Sequence, residues 1–333
     1  MSLISILIPV KNAEKYLQEC MESILNQSHN NFELIAINDH STDRSLEILQ
    51  YYALQDERVQ VLNNAGKGII EALRLAFSAC KGNVITRMDA DDRMHPNKLE
   101  SMYGELEKQG SGNLVLGLVE YFSEAGIGNG YKRYAEWLNT LTRNQNNFAD
   151  IYRECAIPSP CWMLYKDDLI ACDAFNPNRY PEDYDLAFRF YKQGLNIIGV
   201  NSILHYWRDY PERSSRTDPN YLDNRFFDIK LSYFLKLEKE DKDSIVLYGA
   251  GKKAKYIAKA LREKNLSFTW LTNNPKKIGK EVYGVLFQDQ SQLIKREHQK
   301  IIIVVSNPKE QELIASKLLE MNNMLGKDYF FFT

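Results

Sequence analysis

The chain has 333 residues, 44% hydrophobic and 26% charged, with a formal net charge of −2. That is enough for about two domains of an ordinary soluble globular protein. The near-neutral balance excludes a whole-chain signal for nucleic acid or an anionic membrane surface, and no apolar run approaches the ~18 residues of a membrane span.

The N-terminus, "MSLISILIPVKN", has no basic stretch before its apolar segment, so it predicts a first strand rather than a signal peptide. Residues 3–10 are continuously apolar, the mark of a strand buried on both faces. An amphipathic stretch at 14–27 is followed by a second strand, "FELIAIND". "STDRSLEILQYYALQ" predicts a helix with a Ser or Thr cap. "RVQVLN", a helix at 68–80 and "NVITRMD" complete an alternation that predicts a mostly parallel sheet covered by helices. Beyond residue 110 the pattern is irregular, and the Gly-rich "EAGIGNGYKRY" reads as a mobile flap. "CWMLY" predicts a strand and "PEDYDLAFRFYKQG" an amphipathic helix beginning near Glu182. Residues 218–243 read as a charged connecting helix, and a second α/β unit is expected over 244–333. The five cysteines are scattered without a C-x-x-C pair, as expected for reduced core thiols of a cytosolic protein.

The polar clusters fall where these strands end: Lys11-Asn12, Asn38-Asp39, Asn63-Asn64 and "DADD" at 89–92. In parallel sheets such ends form the ligand-binding rim. Asp89, Asp91 and Asp92 repel one another, and a divalent cation shared with a diphosphate is the first compensation to consider. The alternative is that Asp91 or Asp92 caps the helix starting near His95-Pro96. Asp39 is suited to accept from a base N–H, or else to cap a turn in "DHSTD". Glu182, Asp183 and Asp185 fit a helix N-terminus electrostatically, and one of them also fits a general base for a hydroxyl nucleophile. His205 is either a metal ligand or a structural histidine, and Arg213 and Arg216 are either phosphate clamps or solvated side chains.

Residues 3 to about 217 resemble the family 2 glycosyltransferases of the GT-A fold, through "SILIPVKN", "ELIAINDHSTDRSLEIL", "NNAGKGIIEALRLAFSACKGNVITRMDADD", "HPNKLE" and "PEDYDLAFRFYKQG" with "HYWRDYPERSSRT". The resemblance implies inverting, metal-dependent transfer of a sugar from a nucleotide diphosphosugar, with UDP favoured, to a hydroxyl acceptor. It implies Asp89-Ala90-Asp91 as the D-x-D motif, Asp39 as the base-recognition residue and Asp183 as catalytic base, with Glu182 near the acceptor. Pro9 and Val10 would cradle the base, Lys67 and Arg87 would lie near the nucleotide or phosphates, and His205 would join Asp91 at a Mn²⁺ or Mg²⁺ ion. Acceptors of the family include growing polysaccharides and lipid-linked glycans, which implies a cytoplasmic enzyme working at the inner face of a membrane. The usual "DDGSTD" is "NDHSTD" here, and His40 in place of Gly is expected to alter the turn after Asp39.

"VLYGAGKKAKYIAKAL" resembles the opening of a Rossmann-like unit, reading G-x-G-x-x-A. Asn273 stands where an NAD site would favour an acidic ribose ligand, so a scaffold or oligomerisation role is the expectation for 244–333. The sequence therefore predicts a transferase over 1–217, a helical linker over 218–243 and a Rossmann-like accessory domain. A sugar nucleotidyltransferase would need a Gly- and Arg-rich phosphate loop near the first strand, which is not there. The remaining alternative is a catalytically inactive nucleotide-sugar-binding protein on the same fold.

Overall fold

The computed structural model describes residues 2–221 and 223–333. The chain divides into two compact units: Met1–Asn147 with Ile157–Asp218, and Phe148–Ala156 with Pro219–Thr333.

In the first unit β1 (Ile4–Val10), α1 (Glu14–Leu25), β2 (Phe32–Asn38), α2 (Ser45–Gln55), β3 (Val59–Asn63), α3 (Ile69–Ala79) and β4 (Val84–Arg87) alternate as the hydrophobic pattern predicts. β5 (Arg93–Met94), α4 (Lys98–Gln109), β6 (Asn113–Phe122) and α5 (Asn129–Asn144) follow. β7 (Trp162–Tyr165), α6 (Lys166–Ala171), α7 (Glu182–Gln193), β8 (Asn196–Arg208) and the single turn α8 (Ser214–Thr217) complete the unit. The sheet order is β3-β2-β1-β4-β7-β6-β8-β5. β3, β2, β1 and β4 run parallel, as do β6 and β8, while β7 and β5 are antiparallel to their neighbours. Ile4, Ile6, Leu7 and Ile8 are fully buried, as a strand covered on both faces requires. The order leaves β1 in both directions, to β2 on one side and β4 on the other. The crevice therefore opens at the carboxyl ends of β1, β2 and β4.

Three local expectations are corrected. α2 has Arg44 at its N-cap and no Ser or Thr cap. Ser41 and Thr42 are used earlier: Asn12 N–H donates to Ser41 Oγ (3.1 Å), and Thr42 N–H donates to Asn12 Oδ1 (2.8 Å). These bonds tie the strand-end turns of β1 and β2 together. Neither Asp91 nor Asp92 caps α4, whose N-cap is Asn97. The Gly-rich segment is not a loop throughout, because α5 begins at Asn129 inside it and buries Ala135, Leu138 and Leu141.

In the second unit α9 (Asp223–Leu237), β9 (Ser244–Tyr248), α10 (Lys252–Glu263) and β10 (Phe268–Thr272) precede β11 (Glu281–Val282) and β12 (Val285–Asp289). β13 (Gln299–Ile303), α11 (Pro308–Glu320) and β14 (Tyr329–Phe331) close it. The order is β11-β12-β10-β9-β13-β14, parallel except at β11. The stretch expected to be a charged connector supplies core: Phe227, Ile229, Leu231 and Phe234 of α9 are buried. Tyr152 stacks on Phe332 at 5.5 Å and meets Phe234 and Phe330 edge-on. The buried Lys230 amine donates to the carbonyls of Arg153 (2.8 Å) and Phe332 (3.2 Å), which fixes residues 148–156 into this unit. Among the described residues no helix is long and apolar enough to cross a membrane.

Candidate active site

β2 delivers Asp39 to the crevice, almost fully buried, with its N–H donating to the Val10 carbonyl at 2.8 Å. Pro9 and Val10 lie opposite Ile37 and Asn38 on the adjacent strand, so the expected base cradle and Asp39 are contiguous. The Asp39 carboxylate accepts from Asn64 Nδ2 (2.7 Å) and from Gly68 N–H (3.0 and 3.1 Å), and Lys11 Nζ lies 3.8 Å away. Asp39 thus holds the 64–68 loop. Lys67 is exposed on that loop. A Cβ at Gly68 would sit 3.1 Å from the Tyr180 hydroxyl, so the segment before α7 closes on the same loop.

β4 ends in Arg87, which is buried and donates to Asp89 Oδ1 (2.9 and 3.1 Å) and to Glu182 Oε1 (3.2 Å). One guanidinium therefore joins the D-x-D segment to the Glu-Asp pair of α7 across 95 positions of sequence. Arg87, expected near the nucleotide or phosphates, is bonded to these two carboxylates.

The three acidic residues of α7 separate by their partners. Glu182 faces Arg87. Asp185 is buried against Arg189 (2.9 Å), which also donates to the carbonyls of Cys172 and Ala174, so Asp185 has a packing role. Asp183 accepts a hydrogen bond from Tyr184 N–H (2.8 Å) and has no salt-bridge partner among the described residues. Burial first, and Glu182 next, push its carboxyl up from the usual range, the direction a general base requires.

The "DADD" quartet also separates. Asp91 Oδ2 accepts from the Tyr210 hydroxyl (2.8 Å), and burial with the neighbouring carboxylates raises its carboxyl to about 7. Asp92, absent from the expected site, is the deepest of the three. It accepts from Arg208 N–H (2.8 Å) and from His205 Nε2 (3.0 Å). Lys98, fully buried, donates to the Pro160 carbonyl (2.5 Å) and lies 3.3 Å from His205 Nδ1. With Nδ1 accepting from Lys98, the imidazole carries its proton on Nε2 and donates a hydrogen bond to Asp92. Burial, then Lys98, holds His205 well below the ordinary imidazole range, in its neutral form. His205, expected at the metal, is fully buried with both ring nitrogens engaged inside the protein, and it supports Asp92. Arg208 adds a bond from Nε to the Asp91 carbonyl (2.8 Å) and another to Glu19, so the whole acidic turn is tied to β8 and α1.

A hard divalent cation would find the carboxylate oxygens of Asp91 and its neighbours here, with the Arg213 guanidinium supplying part of the countercharge. Among the described residues no three His, Cys, Asp or Glu side chains form a metal site by themselves. Such a cation would complete its shell with water and diphosphate oxygens, as Mg²⁺ commonly does. The sequence marks Asp92 only as one of three clustered carboxylates or as a helix cap, and gives Arg208 and Tyr210 no role, because their importance lies in contacts across more than 100 positions. The run "HYWRDY" is the only local signal for Arg208 and Tyr210.

The result is a parallel-sheet crevice lined by buried carboxylates, in which Arg87 joins the segment after β4 to the start of α7. The model of glycosyl transferase family 2 matches residues 5–172, and the chain belongs to that family. It is 31% identical over 224 residues to the glycosyltransferase GlyG of Streptococcus pneumoniae serotype 4, covering 65% of this chain and 74% of that protein. It is 36% identical over 210 residues to a chondroitin synthase of Escherichia coli, covering 61% of this chain but 29% of that protein. The fold is similar to S. aureus TarS 1-349 in complex with UDP-GlcNAc, with a TM-score of 0.57 and 17% identity over 78% of this chain and 72% of that one. It is also similar to the mannosyltransferase PcManGT of Pyrobaculum calidifontis with GDP-Man and Mn²⁺, with a TM-score of 0.51 and 14% identity over 71% of this chain and 64% of that one. The protein is a glycosyltransferase.

Proposed function

We propose that the enzyme transfers a sugar from a UDP-sugar to an acceptor hydroxyl with inversion, by one in-line displacement. The observation that carries this reading is the Arg87 bridge, which brings Asp89 and Glu182, the residue before Asp183, onto one guanidinium. Asp183 takes the acceptor proton while the acceptor oxygen bonds to the anomeric carbon. The bond to the diphosphate breaks on the opposite face, which inverts the centre. Asp39, Pro9, Val10 and Lys67 line the nucleotide side. Asp91, with Asp89 beside it, is the proposed holder of Mn²⁺ or Mg²⁺, which supplies positive charge to the departing diphosphate.

UDP is favoured because the TarS neighbours carry UDP-GlcNAc and UDP. A saccharide acceptor, free or lipid-linked, fits the chondroitin synthase among the relatives. In this reading the enzyme acts in the cytoplasm at the inner face of a membrane, and the second unit is an accessory scaffold available for self-association. Titration calorimetry of UDP with Mn²⁺ tests the donor site. Wild type should bind, and Asp91→Ala should lose the metal-dependent part of the affinity with its fold intact. Equal affinity in both proteins would remove Asp91 from the metal.

A further inference from the structure

We infer that His40 is a positioning residue for the donor, its ring latching the 64–68 loop in the shape that orients Asp39. The inference deepens the donor-site reading above and rests on it.

The loop leaves β3 with Asn64 N–H donating to the Asn38 carbonyl at 2.9 Å. At its start Asn64 Nδ2 donates to Asp39, and Asn64 Oδ1 accepts from Gly66 N–H at 3.1 Å. At its end Gly68 N–H points at both Asp39 oxygens. Both ends of the loop therefore converge on one carboxylate. Its middle is held from the strand-end turn by His40 Nε2 and the Gly66 carbonyl, 2.7 Å apart. A carbonyl only accepts, so the ring donates through Nε2–H whether neutral or charged.

Residues 65–67 are exposed, and a neighbouring side chain comes close at each of the two glycines. A Cβ at Gly66 would lie 2.8 Å from the Glu71 side chain, and one at Gly68 would meet the Tyr180 hydroxyl. Lys67 sits between these two glycines and is exposed, so whatever fixes Gly66 and Gly68 also aims Lys67.

His40 adopts φ 56°, in the left-handed region where glycine is free of the penalty a Cβ incurs. The histidine thus takes up a conformation of the kind that glycine adopts freely. If the side chain only endures that conformation, glycine is the better residue. If the ring is a latch, glycine relaxes the backbone and frees the loop. The two readings predict opposite changes in loop order and donor affinity.

The test uses the full chain with His40→Gly and His40→Gln, the second retaining an N–H donor at a similar reach. Hydrogen exchange is followed at the Gly66 and Gly68 amides without nucleotide, and UDP binding is measured with Mn²⁺. In His40→Gly the melting temperature should hold or rise. Protection of the two amides should fall, and the UDP Kd should rise about three- to tenfold, the scale of one net hydrogen bond. His40→Gln should recover both to within about twofold. Wild-type protection and affinity in His40→Gly would overturn the latch, as would losses that His40→Gln leaves uncorrected. A wild-type protein that binds neither UDP nor GDP would defeat the donor reading before any variant is made, and the inference with it.

Discussion

Both sheets reverse their strand order beside a central parallel strand, β1 in the first unit and β9 in the second, and both open a crevice at the carboxyl ends of their strands. At the first rim three carboxylates are taken out of water: Asp39 is 2% exposed, Asp92 1% and Glu182 8%. At the second rim the polar groups are neutral or paired. Thr272 Oγ1 accepts from Asn274 N–H, Asn273 donates to Glu310, and Asn307 caps α11. Lys277 there donates to the Ala250 carbonyl at 2.5 Å. Burying like charges is costly and persists where a fold over-determines it, as Arg87, His205 and Arg208 do here. The same local strand reversal thus carries an electrostatically loaded rim in one unit and a quenched one in the other, which is why strand order alone does not assign function.

The largest expected effect sharpens that contrast at Asp183. Asp183→Asn should lower turnover by about 10²- to 10⁴-fold with donor affinity nearly unchanged, because an amide cannot take the acceptor proton. Near-normal turnover would move the base to Glu182. Asp92→Ala leaves His205 Nε2–H and Arg208 N–H without their acceptor, so the first unit should lose about 2–4 kcal/mol in denaturant unfolding. A loss under about 0.5 kcal/mol would show that the buried chain from Lys98 to Asp92 is not holding the acidic turn.

In the second unit Gly249 has φ 128°, and a Cβ there would lie 2.3 Å from the Val304 carbonyl oxygen. Gly249→Ala should cost that unit about 1–3 kcal/mol while UDP binding in the first unit stays at the wild-type level. A matching loss of nucleotide affinity would break the contrast between loaded and quenched rims. A smaller effect is pH dependence. Asp91 stands at about 7 in the fold against an ordinary value of 3.8, so the folded state holds its proton more tightly. Its contribution is full below the ordinary value and is lost as pH rises toward 7. The metal-free melting temperature should therefore fall between about pH 4 and about pH 7, less steeply in Asp91→Asn, and divalent cation should flatten the wild-type curve. The smallest is Asn273→Ala, exposed at the quenched rim, which should change stability by no more than about 0.5 kcal/mol.

The sequence alone determined the alternating strands and helices of the first hundred residues, because a strand buried on both faces must be continuously apolar and a covering helix must repeat every 3.6 residues. It also determined that carboxylates stand at the strand ends, since the polar residues follow directly on the apolar runs, and its ordered motifs pointed to the family. Only the tertiary structure decided what each carboxylate does. Asp89 and Glu182 meet on Arg87, Asp185 turns to Arg189, and Asp92 gathers His205 and Arg208 from 113 and 116 positions away. It likewise decided that residues 148–156 belong with the second unit, through Tyr152 and the carbonyl of Arg153. The physical reason is range. Strand and helix follow from the local spacing of apolar side chains, whereas a buried charge takes its role from the partners that three-dimensional packing brings to it.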